Sequence, residues 1–577
     1  MSMDPASSTD NLADVQHAAD KVMLRLSRLA LPLALGVALV LRVLLIWRSP
    51  GVLDGDEALV GIQAERIAAG LERPIFFYGQ HYMGSLEAYL AAGLFRLVGP
   101  SVPALRLVPL AFALLLVVLE YELARRVAGQ GAASAAALLA AVAPPYVGVW
   151  SLKARGGYIE SLVLGSALLI VTHRLLYGPN QALGPTAPLR RPTRLALGWW
   201  LLWGLLAGLA FWVNPISVYY ILTAAGALAV NGLRNVRWRP RRHDLRIVWP
   251  RLGLLVAGMA IGGAPLWIDN WQSGGATFAY LFSGSGSDSP LSRVPRVAAY
   301  LVSAILPKLT GAWSPWGAGN ERWLGGAVLA LYASSAVYLL VRLIAGHRGL
   351  LDYRARPRHG QGLLLSCAAV VMVIFCVSGF GGIALNPFGF DAASRYALPL
   401  ASLLPVAMGA LQWRLWRVWA PFGAAALILL LAATANGYAT VQAEQIFQSE
   451  YWNKLPPSEA PLAQFLEQQG IRDVWMNHWA GYPLMFYADG RITAADYNDV
   501  VLHPGVNRLP WALQQVGADP HAAYVLVTNE ERPRLQVLLM ARHIAYLKQR
   551  IGPYLVFWDF SRPVPPASVA DAIGFAY

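Results

Sequence analysis

The chain contains few charged residues and almost no cysteine. Charged residues make up 14% and hydrophobic residues 56% of its 577 residues, whereas an ordinary soluble domain is about 25% charged. This composition excludes an ordinary soluble protein. The two cysteines, Cys367 and Cys376, are nine residues apart in one apolar segment and would lie on opposite faces of a helix. We therefore predict neither a disulfide nor a cysteine-based metal site.

Acidic residues are scarce outside the C-terminal tail. The net charge is +14, which in a soluble protein would indicate a nucleic-acid partner. Residues 441–577 nevertheless contain thirteen acidic and ten basic residues, so the basic excess lies in the hydrophobic part of the chain. Basic residues between apolar segments are typical of membrane orientation. We therefore expect a lipid bilayer as partner and no nucleic acid.

Long apolar segments predict an α-helical polytopic membrane protein. A spanning helix needs about 20 mostly apolar residues. Eleven segments have roughly this character, at 29–47, 103–124, 131–149, 159–175, 197–213, 216–231, 251–267, 322–343, 361–379, 395–411 and 417–437. The first is too long for the apolar region of a cleaved signal and indicates a retained anchor. A polar, disordered tail over residues 1–24 is predicted before it.

Basic residues alternate between the loops in the way that sets membrane orientation. If the N-terminus is cytoplasmic, every second loop should be basic. The predicted cytoplasmic segments carry Lys21, Arg25, Arg28, Arg125, Arg126, Arg190, Arg191, Arg194, Arg234, Arg237, Arg239, Arg241, Arg242, Arg246, Arg348, Arg354, Arg356, Arg358, Arg414 and Arg417. We therefore predict a multi-pass protein of the cell (inner or plasma) membrane, with a cytoplasmic N-terminus and an extracytoplasmic C-terminus.

The tail has the pattern of a small α/β domain. Apolar, β-favouring runs occur at 473–477, 524–529 and 554–560, with helical patterns near 461–469 and 532–542. Three parts are predicted: the cytoplasmic tail 1–24, a transmembrane domain 25–440 with outside loops 48–102 and 268–321, and an extracytoplasmic α/β domain 441–577.

The first outside loop opens with three acids, Asp54, Asp56 and Glu57, just after the first span. A helical stretch follows, and then come the polar and aromatic residues Tyr78, Gln80, His81 and Tyr82. A solvated acidic loop would explain these carboxylates. They would also suit a group-transfer site, because a positioned carboxylate can take the proton of an attacking hydroxyl.

Two later outside segments carry cations. Lys153, Arg155 and Glu160 lie within eight residues between the third and fourth spans, and Arg395 stands just before the tenth. They could be charged side chains at helix ends that extend to the membrane–water interface. Arg395 could also form an ion pair with Asp391. A lipid-linked phosphate would need the same cations, since a leaving phosphate gathers negative charge.

These motifs, in this order and on one predicted side of the membrane, resemble those of glycosyltransferases that use polyprenyl-phosphate sugars and have the GT-C fold. The similar families are the protein O-mannosyltransferases and the aminoarabinose transferases, which are glycosyltransferase family 39-like enzymes. The resemblance is carried by Asp56-Glu57-Ala58, the helix from Gly61 to Gly70, the run from Lys153 to Glu160, and Ser394-Arg395-Tyr396. The chain departs from the aminoarabinose transferases at Leu59-Val60-Gly61, where those enzymes generally carry an Arg-Tyr pair.

The resemblance implies an enzyme that moves a hexose or pentose from a polyprenyl-phosphate donor to an extracytoplasmic acceptor hydroxyl on a glycan, lipid or protein. It implies that Asp56 is the general base, that Glu57 orients it and that Glu160 is a second acid. The donor phosphate would be held by Lys153, Arg155 and Arg395, and the acceptor side would be lined by Tyr78, Gln80, His81 and Tyr82. No cofactor is expected, although a divalent cation shared by Asp56 and Glu160 stays open.

Three other functions are compatible with the sequence. A transporter or lipid flippase predicts internal repeats and mid-span charges, of which Arg42 and Glu120 are the main examples. A glycan polymerase or ligase with a diphosphate-linked donor would place its cations in a large late outside loop. A non-catalytic assembly or receptor subunit predicts that the loop acids are dispensable.

Overall fold

The structure is a computed structural model that describes residues 29–49, 51–178, 194–235, 242–282, 290–316, 320–348, 360–382, 393–442, 445–448, 455–501 and 508–573. Most of these residues are helical, and a five-stranded sheet lies near the C-terminus. The predicted tail 1–24 and Asp391, the suggested ion-pair partner of Arg395, lie outside the described residues.

The helices of the first half of the chain are α1 (Leu29–Arg48), α2 (Gly55–Ala68), α3 (Leu86–Val98), α4 (Val102–Ala128), α5 (Gln130–Val142), α6 (Pro145–Trp150), α7 (Tyr158–Tyr177), α8 (Arg194–Val213), α9 (Val218–Asn235), α10 (Arg242–Gly262), α11 (Ala264–Gln272) and α12 (Ala276–Phe282). Those of the second half are α13 (Pro290–Tyr300), α14 (Leu306–Thr310), α15 (Arg322–Arg348), α16 (Gly360–Val377), α17 (Gly379–Gly382), α18 (Leu404–Val418), α19 (Ala420–Ala439), α20 (Ala460–Gln468), α21 (His478–Ala488), α22 (Tyr497–Val501), α23 (Pro510–Ala518), α24 (Arg534–Ala541) and α25 (Ala570–Ile573). Short 3-10 or π segments occur at Pro215–Ser217, Leu301–Ile305, Ser394–Ser402 and Pro566–Val569.

Seven of the described helices are long and apolar enough to cross a membrane, and nine spans result if each of two bent pairs counts as one. The bent pairs are Val248–Gly262 with α11, at 68°, and Ser394–Ser402 with α18, at 40°. The predicted spans 131–149 and 197–213 contain shorter apolar helices. In the first of them, Pro144 and Pro145 lack the N–H groups that would continue α5. The multi-span helical class is therefore confirmed, whereas the count of eleven is not.

A break between α8 and α9 ties down the loop before α7. Asn214 Oδ1 accepts a hydrogen bond from the Ile216 N–H at 3.0 Å, and its Nδ2 donates to Gly156 O at 3.0 Å. Gly156 and Gly157 adopt φ values of 79° and 83°, in the left-handed region that glycine tolerates. The segment that carries Lys153 and Arg155 is therefore held against the helix break.

The C-terminal strands confirm the predicted α/β domain. The sheet has the order β2-β1-β3-β5-β4 and is formed by β1 (Asp473–Met476), β2 (Thr493–Ala495), β3 (Ala523–Val527), β4 (Leu547–Ile551) and β5 (Tyr554–Trp558). β1 is parallel to β2 and β3, and β5 is antiparallel to β3 and β4. The sequence predicted β1, β3 and β5 but missed β2, which has three residues, and β4, whose residues are mostly exposed. The domain boundary at residue 441 stays a prediction.

The C-terminal α/β domain packs directly on α2. A Cβ added at Gly55 would lie 3.0 Å from Trp479 Cα, and one at Gly61 would lie 2.6 Å from the Phe486 ring. Buried side chains of α2, α3 and α21 share one hydrophobic cluster, in which Phe486 contacts Phe95 at a ring distance of 6.0 Å. Small residues on α2 thus bring α21 against the helix that begins with the acidic motif.

Candidate active site

The first turn of α2 is shaped by its own acids. Asp54 Oδ1 accepts a hydrogen bond from the Glu57 N–H at 2.9 Å, and the Asp54 N–H donates to Glu57 Oε2 at 3.4 Å. This reciprocal capping satisfies N–H groups that a helix start leaves unpaired, and the helix dipole stabilises carboxylates at this end. The sequence Asp-Gly-Asp-Glu therefore fixes the direction of all three carboxylates.

Asp54 is buried beside two cations. Lys153 Nζ lies 3.0 Å and Arg155 Nη1 3.4 Å from Asp54 Oδ2, and Lys153 also donates to Gln448 O at 3.2 Å. Burial alone would raise the pKa of Asp54, but Arg155 and Lys153 outweigh it and bring the pKa to about 2. Asp54 was not assigned to the site from sequence, yet it holds two of the cations predicted to bind phosphate.

Asp56 is the acid of this turn that reaches solvent, with 19% of its side chain exposed. Arg155 donates from Nε and Nη2 to Asp56 Oδ2 at 3.0 and 2.9 Å, and Arg508 Nη1 lies 4.0 Å from Oδ1. Burial alone would raise the pKa of Asp56, but Arg155 and Arg508 outweigh it, Arg395 acts in the same direction, and the pKa lies below its usual range. Asp56 is therefore an ionised carboxylate in contact with Arg155 and Arg508 and within electrostatic reach of Arg395.

Glu57 is fully buried and links three segments. Its Oε2 lies 3.5 Å from Arg106 Nη2, and its Oε1 accepts a hydrogen bond from the Ala154 N–H at 3.3 Å. Burial raises the pKa of Glu57, although Arg106 opposes the change. Arg106 also donates to Ser49 O at 3.0 Å and to Val52 O at 2.5 Å. Glu57 thus supports the turn that carries Asp56.

Glu160 is placed beside a second buried acid, Glu87. Both are almost fully buried, and neither oxygen of Glu160 accepts a hydrogen bond from the described residues. Glu87 Oε2 accepts from the Gly156 N–H at 2.9 Å and the Gly157 N–H at 3.4 Å. Burial and then the charge of Glu160 raise the pKa of Glu87 well above its usual value. Glu87 was missed from sequence.

Among the described residues, no group of three or more histidine, cysteine, aspartate or glutamate side chains is arranged to hold an ion. The predicted role of Glu160 as a second acid stays a prediction.

Arg395 stands at the start of the 3-10 segment Ser394–Ser402. Its Nη2 donates to Tyr396 Oη at 3.2 Å, and the Tyr396 ring lies 6.4 Å from that of Tyr158 at the start of α7. A buried lysine that the sequence reasoning missed, Lys308, donates from Nζ to Ser394 Oγ at 3.2 Å. Arg395 and Lys308 therefore both bond to this segment, whose Tyr396 ring lies near the start of α7.

Tyr78 and Gln80 lie in the loop between α2 and α3. The Tyr78 hydroxyl donates to Glu72, which also pairs with Arg66 at 2.6 Å. Gln80 is half-buried, and its Oε1 accepts no hydrogen bond from the described residues. Tyr78 is thus engaged within its own loop.

His81 and Tyr82 contact the segment that contains α11 and α12. His81 Nδ1 lies 3.5 Å from Asp269 Oδ2, and Tyr82 stacks on Tyr280 at a ring distance of 4.6 Å. Burial raises the pKa of Tyr82, and Tyr280 and Tyr396 raise it further. Tyr82 therefore lies within electrostatic reach of the Arg395 segment.

The C-terminal domain supplies residues that the sequence reasoning did not assign. Trp479 lies over Arg155, with the guanidinium carbon 5.9 Å from the ring centroid, and Arg508 reaches Asp56. Gly79 makes room for Arg508, because a Cβ there would lie 2.6 Å from Arg508 Cγ. Trp479 is the third residue after β1, at the strand end where parallel sheets bind ligands. Sequence could have given this signal. Arg508 carried no such signal.

A similar fold is found in solved structures of ArnT. The chain is similar to ArnT from Cupriavidus metallidurans bound to undecaprenyl phosphate, with a TM-score of 0.56 and 15% identity over 91% of this chain and 97% of that chain. For the apo state of ArnT the TM-score is 0.54 at 15% identity, covering 97% and 99%. AglB from Archaeoglobus fulgidus gives a TM-score of 0.47 at 14% identity, covering 94% and 77%.

Comparison at the level of sequence found no relative. No family model and no curated protein sequence matches the chain. The structural likeness extends over nearly the whole of ArnT and at least 91% of this chain. The chain therefore has the GT-C fold that its loop motifs predicted.

Proposed function

We propose that the chain is a membrane glycosyltransferase that moves a sugar from a polyprenyl-phosphate donor to an acceptor hydroxyl at the extracytoplasmic face. The observation that carries the proposal is the convergence of Asp56 with Arg155 and Arg508, which come from segments far apart in the chain, while Arg395 lies near enough to lower the pKa of Asp56. The fold is that of ArnT, a structure of which is bound to undecaprenyl phosphate. A carboxylate surrounded by guanidinium groups suits an acceptor hydroxyl beside a phosphate leaving group.

In the proposed reaction, the acceptor oxygen attacks the anomeric carbon of the donor sugar. The bond from that carbon to the phosphate oxygen breaks, and polyprenyl phosphate leaves with the bonding electrons. Asp56 takes the acceptor proton. Lys153, Arg155 and Arg395 neutralise the charge that gathers on the phosphate, as guanidinium and ammonium groups do. Tyr78, Gln80, His81 and Tyr82 would border the acceptor side.

Arg155 has a double role in this scheme. Without donor it donates two hydrogen bonds to Asp56 Oδ2, at 3.0 and 2.9 Å. A donor phosphate would compete for the same guanidinium, because both ligands are oxyanions that accept its parallel donors. Drawing Arg155 toward phosphate would raise the proton affinity of Asp56 as the donor binds.

In this scheme Lys153, Arg155 and Arg395 neutralise the negative charge that gathers on the phosphate. We therefore expect transfer to proceed in the presence of a chelator.

Lipid analysis of a strain that lacks the chain tests the proposal. We expect a polyprenyl-phosphate sugar to accumulate and one surface glycan, glycolipid or glycoprotein to be lost. Wild-type chain and the control Glu530→Gln, which alters an exposed acid, should restore both, and Asp56→Asn should restore neither. Accumulation of a diphosphate-linked glycan donor instead would support the hypothesis of a polymerase or ligase. Full rescue by Asp56→Asn would favour a transporter, flippase or non-catalytic subunit.

A further inference from the structure

A group of polar residues lies at the carboxyl ends of the parallel strands β1 and β2. Asn477 and His478 follow β1, and Asp496 and Asn498 follow β2. All four are at least nine-tenths buried. In open α/β sheets, ligands bind in the crevice outside these strand ends. The group has no part in the mechanism above.

His478 and Asp496 form a directed pair. His478 Nδ1 and Asp496 Oδ2 are 2.5 Å apart, and Asp496 Oδ1 accepts a hydrogen bond from the Asn498 N–H at 2.9 Å. Burial alone would raise the pKa of Asp496, but His478 and these hydrogen bonds outweigh it, so the carboxylate is ionised. Because the ionised Asp496 carboxylate can only accept a hydrogen bond, His478 must carry its proton at Nδ1. His478 Nε2 then presents a lone pair.

The side chains present matched donors and acceptors. Asn477 Oδ1 accepts from the Trp479 N–H at 3.0 Å, which leaves its Nδ2 as a donor that this contact does not use. Asn477 Nδ2, His478 Nε2 and Asn498 Oδ1 are buried and have no hydrogen-bond partner among the described residues. Buried polar atoms in proteins normally have partners. One donor and two acceptors suit hydroxyl groups, because each hydroxyl both donates and accepts.

This polar group adjoins the proposed reaction centre. A Cβ at Gly55, the residue before Asp56, would lie 3.1 Å from His478 O. Burial and then Arg508 lower the pKa of His478, while Asp496 and Asp56 act in the opposite direction. His478 is therefore within electrostatic reach of both Asp56 and Arg508. The Trp479 ring packs beside His478, with the two ring centroids 4.6 Å apart.

We propose that the polar group Asn477, His478, Asp496 and Asn498 is the acceptor subsite, and that it binds a saccharide through neighbouring hydroxyls so that one of them points at Asp56. The inference rests on the proposed function and assigns its acceptor to the carbohydrate class. His478 and Asn477 are positioning residues in this scheme, and Asp496 acts through His478.

Ligand-detected NMR on the full chain in lipid nanodiscs tests the assignment. The probes are methyl glycosides of hexopyranoses and of arabinofuranose, the peptide acetyl-Ala-Thr-Ala-amide, and undecaprenyl phosphate. We expect saturation transfer to at least one glycoside and about a fivefold loss in His478→Gln and in Asn477→Ala, the effect of one lost hydrogen bond. The exposed control His521→Gln should behave as wild type. All variants should bind undecaprenyl phosphate equally.

Several results would overturn the inference. They are the absence of glycoside binding to wild type, glycoside binding that is indifferent to His478→Gln, or binding of the peptide in place of the glycosides. Hydrogen exchange of the amides 478–482 in wild type gives a readout that needs no variant, and glycosides should slow it. Failure of undecaprenyl phosphate to bind wild type would instead count against the proposed function, so the two failures are distinguishable.

Discussion

The three acids at the start of α2 occupy three different environments. Asp54 is buried against Lys153, Glu57 is buried against Arg106, and Asp56 is partly exposed and bonded to Arg155. A carboxylate that takes a proton from an acceptor hydroxyl must be accessible to that hydroxyl and lie near basic residues. The two buried acids hold the turn in place, and the third is available for chemistry.

Glu57→Gln should destabilise the protein, because it leaves the fully buried Arg106 guanidinium without its carboxylate. Losing one partner of a buried ion pair costs about 3–5 kcal/mol, so the apparent Tm in detergent should fall by several degrees. Glu65→Gln on the same helix is the matched control. Burial and, to a lesser extent, the charge of Asp489 raise the pKa of Glu65 to about 8. Its neutral variant should therefore have a Tm equal to or above that of wild type. Equal Tm values for Glu57→Gln and wild type would contradict this role.

Glu459 should make the C-terminal domain less stable as pH rises. Burial raises its pKa to about 8, although Tyr554 donates to its carboxylate. The folded state thus keeps a proton that the unfolded state releases above pH 4.5. Stability should fall between these two pH values, by at most about 1.4 kcal/mol per pH unit.

Glu459→Gln should remove that pH-dependent contribution, because the amide does not titrate. The measurement is hydrogen exchange of β5 at several pH values, in wild type and variant. The difference between the two curves should grow from pH 5 to pH 8. Parallel curves would show that Glu459 is not a protonated acid in the folded state.

At the scale of elements, α2 and α21 position the site together. Glycines at 55 and 61 allow α21 to approach, and α21 brings His478 and Trp479 to the acidic turn. Contact between the helix of a predicted outside loop and a C-terminal helix cannot be predicted from hydropathy, since it depends on complementary shape rather than on pattern.

Gly61→Ala should push α2 away from α21, because its Cβ would lie 2.6 Å from the buried Phe486 ring. Overpacking of this kind costs about 1–3 kcal/mol, so both the apparent Tm and the transfer rate should fall. Gly93→Ala in α3 is the matched control, since nothing lies within 4 Å of its added Cβ. It should equal or exceed wild type in Tm. An unchanged Tm and transfer rate in Gly61→Ala would contradict the described contact between α2 and α21.

Sequence patterns predicted the features that depend on residues close together in the chain. Apolar length predicted the helical membrane class, and β-favouring runs predicted β1, β3 and β5. The Asp-Glu motif led to the α2 turn, and its guanidinium partner Arg155 was selected because phosphate needs cations. Glu87, Lys308 and Arg508 were missed, because each enters the site only through long-range packing. The predicted span 131–149 is interrupted for a local reason, because Pro144 and Pro145 stand within its apolar run.

At the scale of the whole molecule, the proposal requires the acidic turn and the C-terminal domain to lie on the extracytoplasmic side. Cysteine labelling in intact cells tests this orientation. Glu530→Cys on the exposed surface of the domain should react with a membrane-impermeant maleimide. Arg237→Cys, in a predicted cytoplasmic loop, should react only after permeabilisation. The native Cys367 and Cys376 provide the background. The opposite labelling pattern would place the site in the cytoplasm and contradict the proposal.

The central claim is that a polyprenyl-phosphate sugar is consumed at Asp56. The most direct measurement incubates purified chain with the glycolipid extract and the acceptor-bearing envelope fraction of a strain lacking it, and follows release of polyprenyl phosphate by mass spectrometry. We predict release by wild type and a loss of at least about 100-fold in Asp56→Asn, with undecaprenyl phosphate bound equally by both. No release by wild type, or equal release by the variant, would contradict the claim.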